Sequence, residues 1–116
     1  AQKKVTNVEA IQGAEADPKL PPGGVDVVLM VDVYHELAQP FEMGEKLVAA
    51  LKPGGRLVFV EFRLEDDAVP IKGVHKMSER QVLKEMAAFK EMKHTKTYGE
   101  LPWQHVIIFT KEEEKK

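Results

Sequence analysis

A chain of 116 residues is long enough for one domain with a hydrophobic core, but it is short for most cofactor-binding α/β folds. A net charge of -2 gives no basic footprint for nucleic acid or for an anionic membrane surface. The absence of cysteine excludes disulfides and thiolate chemistry, and no apolar run is long enough to span a bilayer. The sequence therefore predicts a single cytoplasmic domain over residues 1–116, with a charged tail at 112–116.

The first third of the chain contains two predicted strands separated by a loop. Residues 5–12 (VTNVEAIQ) alternate loosely between apolar and polar side chains, which predicts a short strand. Residues 13–24 are rich in glycine, proline and aspartate and predict a loop. Residues 25–33 (VDVVLMVDV) are β-branched and almost continuously apolar. This pattern is typical of a central strand that is covered on both faces, as in a parallel sheet.

A helix and a further strand follow. Pro40 is suited to the first turn of a helix, and apolar residues recur at helical spacing until residues 52–55 (KPGG) end it. Residues 56–62 (RLVFVEF) predict a second buried strand. A strand, a helix and a strand of these lengths predict a right-handed βαβ unit, in which the two strands are parallel.

The last third of the chain predicts a helix and a hairpin. Residues 63–77 are polar and predict a loop. Residues 78–81 (SERQ) match a capping box, which predicts a helix that runs to about Phe89. Residues 93–110 predict two antiparallel strands around a turn at 99–102. These elements together predict an α/β fold.

Three segments carry a resemblance to a known family. The stretch VDVVLMVDVYHEL, followed by LKPGGRLVFVEF and the final LPWQHVIIF, resembles the C-terminal half of a class I S-adenosylmethionine-dependent methyltransferase, from about Val5 onward. The resemblance implies an incomplete Rossmann-like fold, with a mainly parallel sheet, a C-terminal antiparallel hairpin and helices packed on the sheet. It also implies S-adenosylmethionine as cofactor and a small molecule as methyl acceptor.

The sequence departs from that family in its glycines. The family places a glycine-rich loop after its first strand, where the backbone approaches the cofactor, but Gly-x-Gly is absent from these residues. The prediction is therefore a truncated methyltransferase that binds the cofactor weakly or not at all alone and is active only when a dimer mate or a second chain completes it. The alternatives are a non-catalytic dimerising or binding module derived from a methyltransferase, and a fragment without a role of its own.

The resemblance also implies site residues. Ala14 and Glu15 fall where the family contacts the adenine, and Asp32, at the end of the strand predicted at 25–33, is a third cofactor residue. The alternative for residues 14 and 15 is ordinary turn chemistry beside Asp17. Tyr34 and His35 are the candidate catalytic residues, because an imidazole titrates near neutral pH and can act as a general base. The alternative for His35 is a hydrogen bond to a nearby backbone group.

Glu61 and Arg63 end the second buried strand and are the candidate substrate-binding residues. Arg63 is suited to a bidentate clamp on a carboxylate or phosphate; alternatively it pairs with Glu65 or Asp66 on the surface. No metal ligand is predicted, because Gln39 stands where an H-E-x-x-H motif has its second histidine.

The strand at 25–33 lacks the neighbour that it has in the complete family fold. Unpaired backbone groups beside an apolar surface favour association, so we expect this edge to be covered. Residues 5–12 could pair with it within the chain, or a separate polypeptide could supply the missing half. Alternatively, a second copy could pair edge to edge or exchange its N-terminal strand. We favour the homodimer, because an apolar strand edge is most readily satisfied by an identical edge.

Overall fold

The structure is a computed structural model, and it describes residues 6–113. Two 3₁₀ turns lie at Tyr34–Glu36 and Gly73–His75. The strands and helices are β1 Val25–Val31, α1 Pro40–Ala50, β2 Leu51–Arg63, β3 Lys76–Met77, α2 Glu79–Met86, β4 Met92–Tyr98 and β5 Gln104–Lys111. None of the helices within residues 6–113 is long and apolar enough to cross a bilayer.

The sheet is mixed, with strand order β1-β2-β5-β4 and the short β3 beside β2. The βαβ unit is confirmed, because β1 pairs parallel to β2 after the α1 crossover. The predicted C-terminal hairpin is also confirmed, since β4 and β5 are antiparallel. The α/β class is therefore right, but the expectation of a mainly parallel sheet is corrected. The long β2–β5 and β4–β5 ladders are both antiparallel, and within residues 6–113 the only other parallel pairing is that of the two-residue β3 with β2.

One face of the sheet carries the hydrophobic core. Alternate side chains of the central strands, Leu57 and Phe59 on β2 and Ile107 on β5, are at most 1% exposed. Both helices contribute to the same cluster, α1 through Leu47 and α2 through Val82. The period-two burial of the strands shows that the helices cover a single face of the sheet.

The predicted strand at residues 5–12 is wrong for the part that the structure describes. Residues 6–12 form bends and irregular backbone, and Val5 lies outside the described residues. A loosely alternating segment becomes a strand only when another strand accepts its hydrogen bonds, and none does so here. Pairing of this segment with β1 inside the chain is therefore not observed for residues 6–12. The loop predicted at 13–24 is confirmed, with a tight turn closed by Ala14 and Asp17.

Strand β1 is an edge strand, not a central one. Val28 and Met30 point into the core, whereas Val27, Leu29 and Val31 are 44%, 61% and 47% exposed on the opposite face. Burial on both faces was predicted from the continuous apolar run, and this is wrong for the described residues. The run by itself does not specify whether a helix or strand is present to cover its second face.

The N-terminus of α2 forms as the capping pattern predicts. Ser78 has an extended backbone, and its Oγ accepts a hydrogen bond from the backbone N–H of Gln81 at 3.0 Å. The reciprocal half of the capping box is absent from the hydrogen bonds of residues 6–113, and the Gln81 side-chain amide donates to Glu85 Oε2. The helix ends at Met86, three residues before the predicted end at Phe89, although Phe89 is still buried in the core.

Replacing Ser78 by alanine is expected to lower the free energy of unfolding by about 1 kcal/mol, because the Gln81 N–H loses its acceptor. Urea denaturation followed by circular dichroism measures the change. Ser78→Asp, which keeps a side-chain acceptor, is the matched control and should leave the stability close to that of the parent chain. Equal losses in both variants would contradict a capping role.

Candidate active site

The carboxyl ends of β1 and β2 meet at one edge of the sheet, because the two strands are parallel. The chain leaves β1 through Asp32 into the 3₁₀ turn that contains Tyr34 and His35. Strand β2 reaches the same edge at Glu61. Ligand sites of α/β sheets form in this position. The structure therefore brings together four of the residues that the sequence analysis selected.

Glu61 is the centre of this cluster and is 0% exposed. Its Oε1 lies 2.5 Å from His35 Nδ1, and its Oε2 accepts the backbone N–H of Tyr34 at 3.1 Å. Burial raises the pKa of the Glu61 carboxyl above its ordinary value, and the contacts with His35 and the Tyr34 N–H partly offset this effect. One buried carboxyl group thus fixes the orientation of two neighbouring residues.

The His35 ring is oriented with one nitrogen toward the interior and the other toward the surface. Its side chain is 8% exposed, and Nδ1 is engaged by Glu61. When Nδ1 donates to that carboxylate, the neutral imidazole carries its lone pair on Nε2. His35 borders two cavities of about 250 Å³ and 340 Å³. Nε2 is therefore the nitrogen of this ring that remains to accept a proton or bind a ligand.

The Tyr34 ring belongs to the core. It is 5% exposed and packs edge-on against Phe59, with ring centroids 4.8 Å apart. Its hydroxyl donates to Glu85 Oε1 on α2 at 2.8 Å. Burial, followed by the Glu85 hydrogen bond, raises the pKa of the Tyr34 phenol. The phenol therefore stays protonated and links the 3₁₀ turn to α2; its catalytic role stays a prediction.

Asp32 adopts a left-handed backbone conformation, with φ of 54°. Both oxygens of its carboxylate accept from Gln104 Nε2, at 2.9 and 2.8 Å. This contact ties the end of β1 to the start of β5, across the end of β2. Asp32 also lines the cavity of about 250 Å³ together with His35. Cofactor binding by Asp32 stays a prediction.

Arg63 is held by the hairpin loop. Its guanidinium group donates to backbone carbonyls of that loop, namely those of Gly99, Leu101, Pro102 and Gln104. The predicted alternative, an ion pair with Glu65 or Asp66, does not occur among the ion pairs of residues 6–113. A substrate-clamping role stays a prediction, and it would require Arg63 to release these carbonyls.

Arg63→Lys is expected to lower the free energy of unfolding by about 1–2 kcal/mol, because an ammonium group cannot reach the same set of carbonyls. Hydrogen exchange of the amides in residues 99–104 should also accelerate. Arg80→Lys on the exposed face of α2 is the control, and we expect no measurable change. Unchanged exchange in Arg63→Lys would show that the loop is held by other contacts.

Ala14 and Glu15 lie in the tight turn of the 13–24 loop, and both are largely exposed. Within residues 6–113, no hydrogen bond or ion pair of theirs reaches the cluster around Glu61. The cluster also contains residues to which the sequence analysis assigned no function. These are Glu36, His75, Glu85 and Gln104. Gln104 could have been found from its place at a strand start, whereas the tertiary fold alone brings His75 here.

A family model described as a methyltransferase domain matches residues 1–59 of the chain. This match covers half of the 116 residues and includes β1, α1 and most of β2. The chain belongs to this methyltransferase family. No curated protein matches the chain.

Solved structures show the same fold. An S-adenosylmethionine dependent methyltransferase from Aquifex aeolicus is 21% identical, with a TM-score of 0.81 over 90% of this chain and 55% of that chain. A protein described as a possible histamine N-methyltransferase from Thermotoga maritima is 20% identical, with a TM-score of 0.70 over 90% of this chain and 65% of that chain. The [4+2]-cyclase SpnF is 11% identical, with a TM-score of 0.69 over 87% of this chain and 56% of that chain.

This methyltransferase-family chain spans about half the length of the first solved structures that it matches. At these identities the likeness establishes the fold and leaves the reaction to be argued from the site. The cyclase illustrates this point, because its name describes a different reaction on the same architecture.

Proposed function

We propose that the chain supplies the acceptor side of an S-adenosylmethionine-dependent methyltransferase that acts on a small molecule. The observation that carries the proposal is the buried Glu61–His35 pair at the carboxyl ends of β1 and β2. The two cavities beside His35, of about 250 and 340 Å³, lie at the small end of the range for small-molecule sites. Family membership supports methyl transfer as the reaction class.

His35 has the role of a general base in this proposal. Its Nε2 accepts the proton that an O–H or N–H acceptor loses, while the Glu61 carboxylate stabilises the imidazolium that forms. Asp32 and the cavity walls position the acceptor, and this positioning supplies much of the rate enhancement of a group transfer. Tyr34 acts indirectly by holding the 3₁₀ turn against α2.

The described residues do not by themselves fit the cofactor. A cradle for it needs a glycine backbone that faces ligand-sized space, and Gly-x-Gly is absent from the sequence. Gly24, Gly44 and Gly55 are crowded by their own chain, since an added Cβ would lie 2.8–3.0 Å from a neighbouring atom. Gly23, Gly73 and Gly99 face open space, but they lie in three separate segments rather than in one glycine-rich loop. We therefore assign the cradle to further polypeptide, either a second copy or a separate segment, and assign only the acceptor side to these residues.

Calorimetric titration with S-adenosylhomocysteine tests this division. The chain alone is expected to give no saturable heat at millimolar ligand. A chimera, in which the part of the Aquifex aeolicus methyltransferase that this chain does not cover is joined to it, is expected to bind one equivalent. Micromolar binding by the chain alone, or no binding by a folded chimera, would overturn the assignment.

The same chimera tests whether His35 acts as the general base. His35→Ala is expected to keep S-adenosylhomocysteine binding and to lose at least 100-fold in methylation of a panel of small amines and phenols, which is the lower range of general-base effects. His94→Ala is the matched control, because His94 is exposed and contacts Thr97 far along β4. Equal activity of the His35→Ala and parent chimeras would exclude the base.

The exposed apolar face of β1 favours a second candidate function. Within the described part of the chain, no strand pairs with the outer edge of β1. Its only charged residue, Asp26, lies at the start and pairs with Lys52. An edge strand without charges, bulges or proline in its centre is suited to pairing with another strand. We propose a second copy as the occupant, which makes the chain a dimerising module with or without catalysis.

A further inference from the structure

Two histidines and a glutamate converge beside the strand ends. His35 Nε2 lies 3.7 Å from Glu36 Oε1, and His75 Nδ1 lies 3.9 Å from the same oxygen. The three donor atoms all lie within 4.8 Å of one another. The two imidazole rings meet edge to face, with centroids 5.6 Å apart. Two separate 3₁₀ turns, at Tyr34–Glu36 and Gly73–His75, thus present three metal-ligating groups to one point.

The buried Glu61 contacts the second ring nitrogen of His35, and clusters of exposed side chains lack such a contact. Metal-binding histidines commonly donate their second ring nitrogen to a carboxylate, which fixes the tautomer and makes the free nitrogen a better ligand. His35 has this arrangement, with Nδ1 on the fully buried Glu61 and Nε2 facing Glu36. In the tautomer that donates from Nδ1, the lone pair of His35 is therefore on Nε2, the nitrogen that lies within 4.8 Å of the two other donors.

The donors are close to the spacing that a metal ion requires. Tetrahedral coordination with bonds of about 2.0–2.1 Å places ligand atoms about 3.3–3.4 Å apart. The side chains of Glu36 and His75 are 60% and 51% exposed, so both can move by the small remaining distance, whereas His35 is held in place. His35, Glu36 and His75 also line the cavity of about 250 Å³, which leaves room for a water molecule or ligand as a further donor.

We propose that His35, Glu36 and His75 bind one divalent cation of the zinc type. Two imidazoles and a carboxylate suit such borderline ions better than they suit calcium or magnesium, which prefer oxygen donors alone. The proposal replaces the expectation of no metal ligand, which considered only the spacing within HELAQ. It does not rest on the proposed methyl transfer. While Nε2 holds an ion it cannot accept a proton, so the two roles of His35 are measured separately.

The test is calorimetric titration of the tag-free full chain with Zn²⁺ alone, with the absorption spectrum of the Co²⁺ form as a second readout. We expect saturable binding of one Zn²⁺ ion per chain. We also expect the Co²⁺ form to show the absorption spectrum of an ion with a low coordination number. His75→Ala and Glu36→Gln, both at exposed positions, should weaken binding at least tenfold. Glu61→Gln should weaken it about 10–100-fold, in the manner of an outer-shell partner.

His94→Ala is the matched control, since it removes an exposed histidine outside the cluster, and it should bind Zn²⁺ as the parent chain does. Circular dichroism establishes that each variant is folded before titration. The proposal is overturned if the parent chain binds no stoichiometric Zn²⁺, or if His94→Ala weakens binding as much as His75→Ala does.

Discussion

Replacing Phe59 by alanine is expected to lower the free energy of unfolding by about 3–5 kcal/mol. Phe59 is 0% exposed in the middle of β2 and meets the rings of Tyr34 and Phe109 edge-on, with centroids 4.8 and 5.7 Å away. Truncation removes its buried surface, leaves a cavity and breaks two aromatic contacts. Since domains of this size are typically stable by about 5–15 kcal/mol, the loss is a large part of the total.

The measurement is urea denaturation followed by tryptophan fluorescence and by circular dichroism. Phe41→Ala is the matched control, because Phe41 is 51% exposed and stacks on Phe89 at the surface. This variant should lower the free energy of unfolding by about 1 kcal/mol. Similar losses in the two variants would contradict the central place of Phe59 in the core. Because Phe59 supports the Tyr34 ring, its truncation should also loosen the turn that carries His35.

Replacing Leu29 by lysine is expected to weaken self-association at least 100-fold. Leu29 is 61% exposed at the centre of the uncovered edge strand. In a two-fold dimer formed through β1 the residue occurs twice, and burial of each side chain contributes about 1.5–3 kcal/mol. The sum of about 3–6 kcal/mol corresponds to a factor of at least 100 in the dissociation constant. A lysine in its place also brings a charge that must be desolvated.

Sedimentation velocity over a wide range of concentration measures the dissociation constant. Leu101→Lys is the control, because Leu101 is 42% exposed on the hairpin loop, away from β1. We expect it to associate as the parent chain does. A parent chain that stays monomeric at all concentrations would rule out the homodimer. A different polypeptide would then be the remaining candidate to cover β1.

The elements that were predicted well have local causes. Ser78 accepts the Gln81 N–H at the start of α2 because both residues lie within one turn of helix. The βαβ unit and the hairpin also formed as predicted, since their connections are short. The wrong predictions concern which segments pair with, or pack against, each other. Residues 6–12 have a weak strand pattern but no neighbouring strand, and the apolar run of β1 did not reveal that one of its faces would be uncovered.

The amino-acid sequence by itself determined the α/β class, the order of the helices and longer strands after residue 25 and the location of a candidate site at two strand ends. It did not predict the two-residue β3, which lies in the segment predicted as a loop at 63–77. Parallel strands that follow each other in a βαβ unit must end at the same edge, and so His35 and Glu61 could be named from the sequence. Only the tertiary structure decided that Glu61 is buried against His35, that Arg63 holds the hairpin loop, and that His75 joins Glu36. These contacts join segments that are distant in the chain, and their geometry depends on how loops pack, which no local pattern of residues encodes.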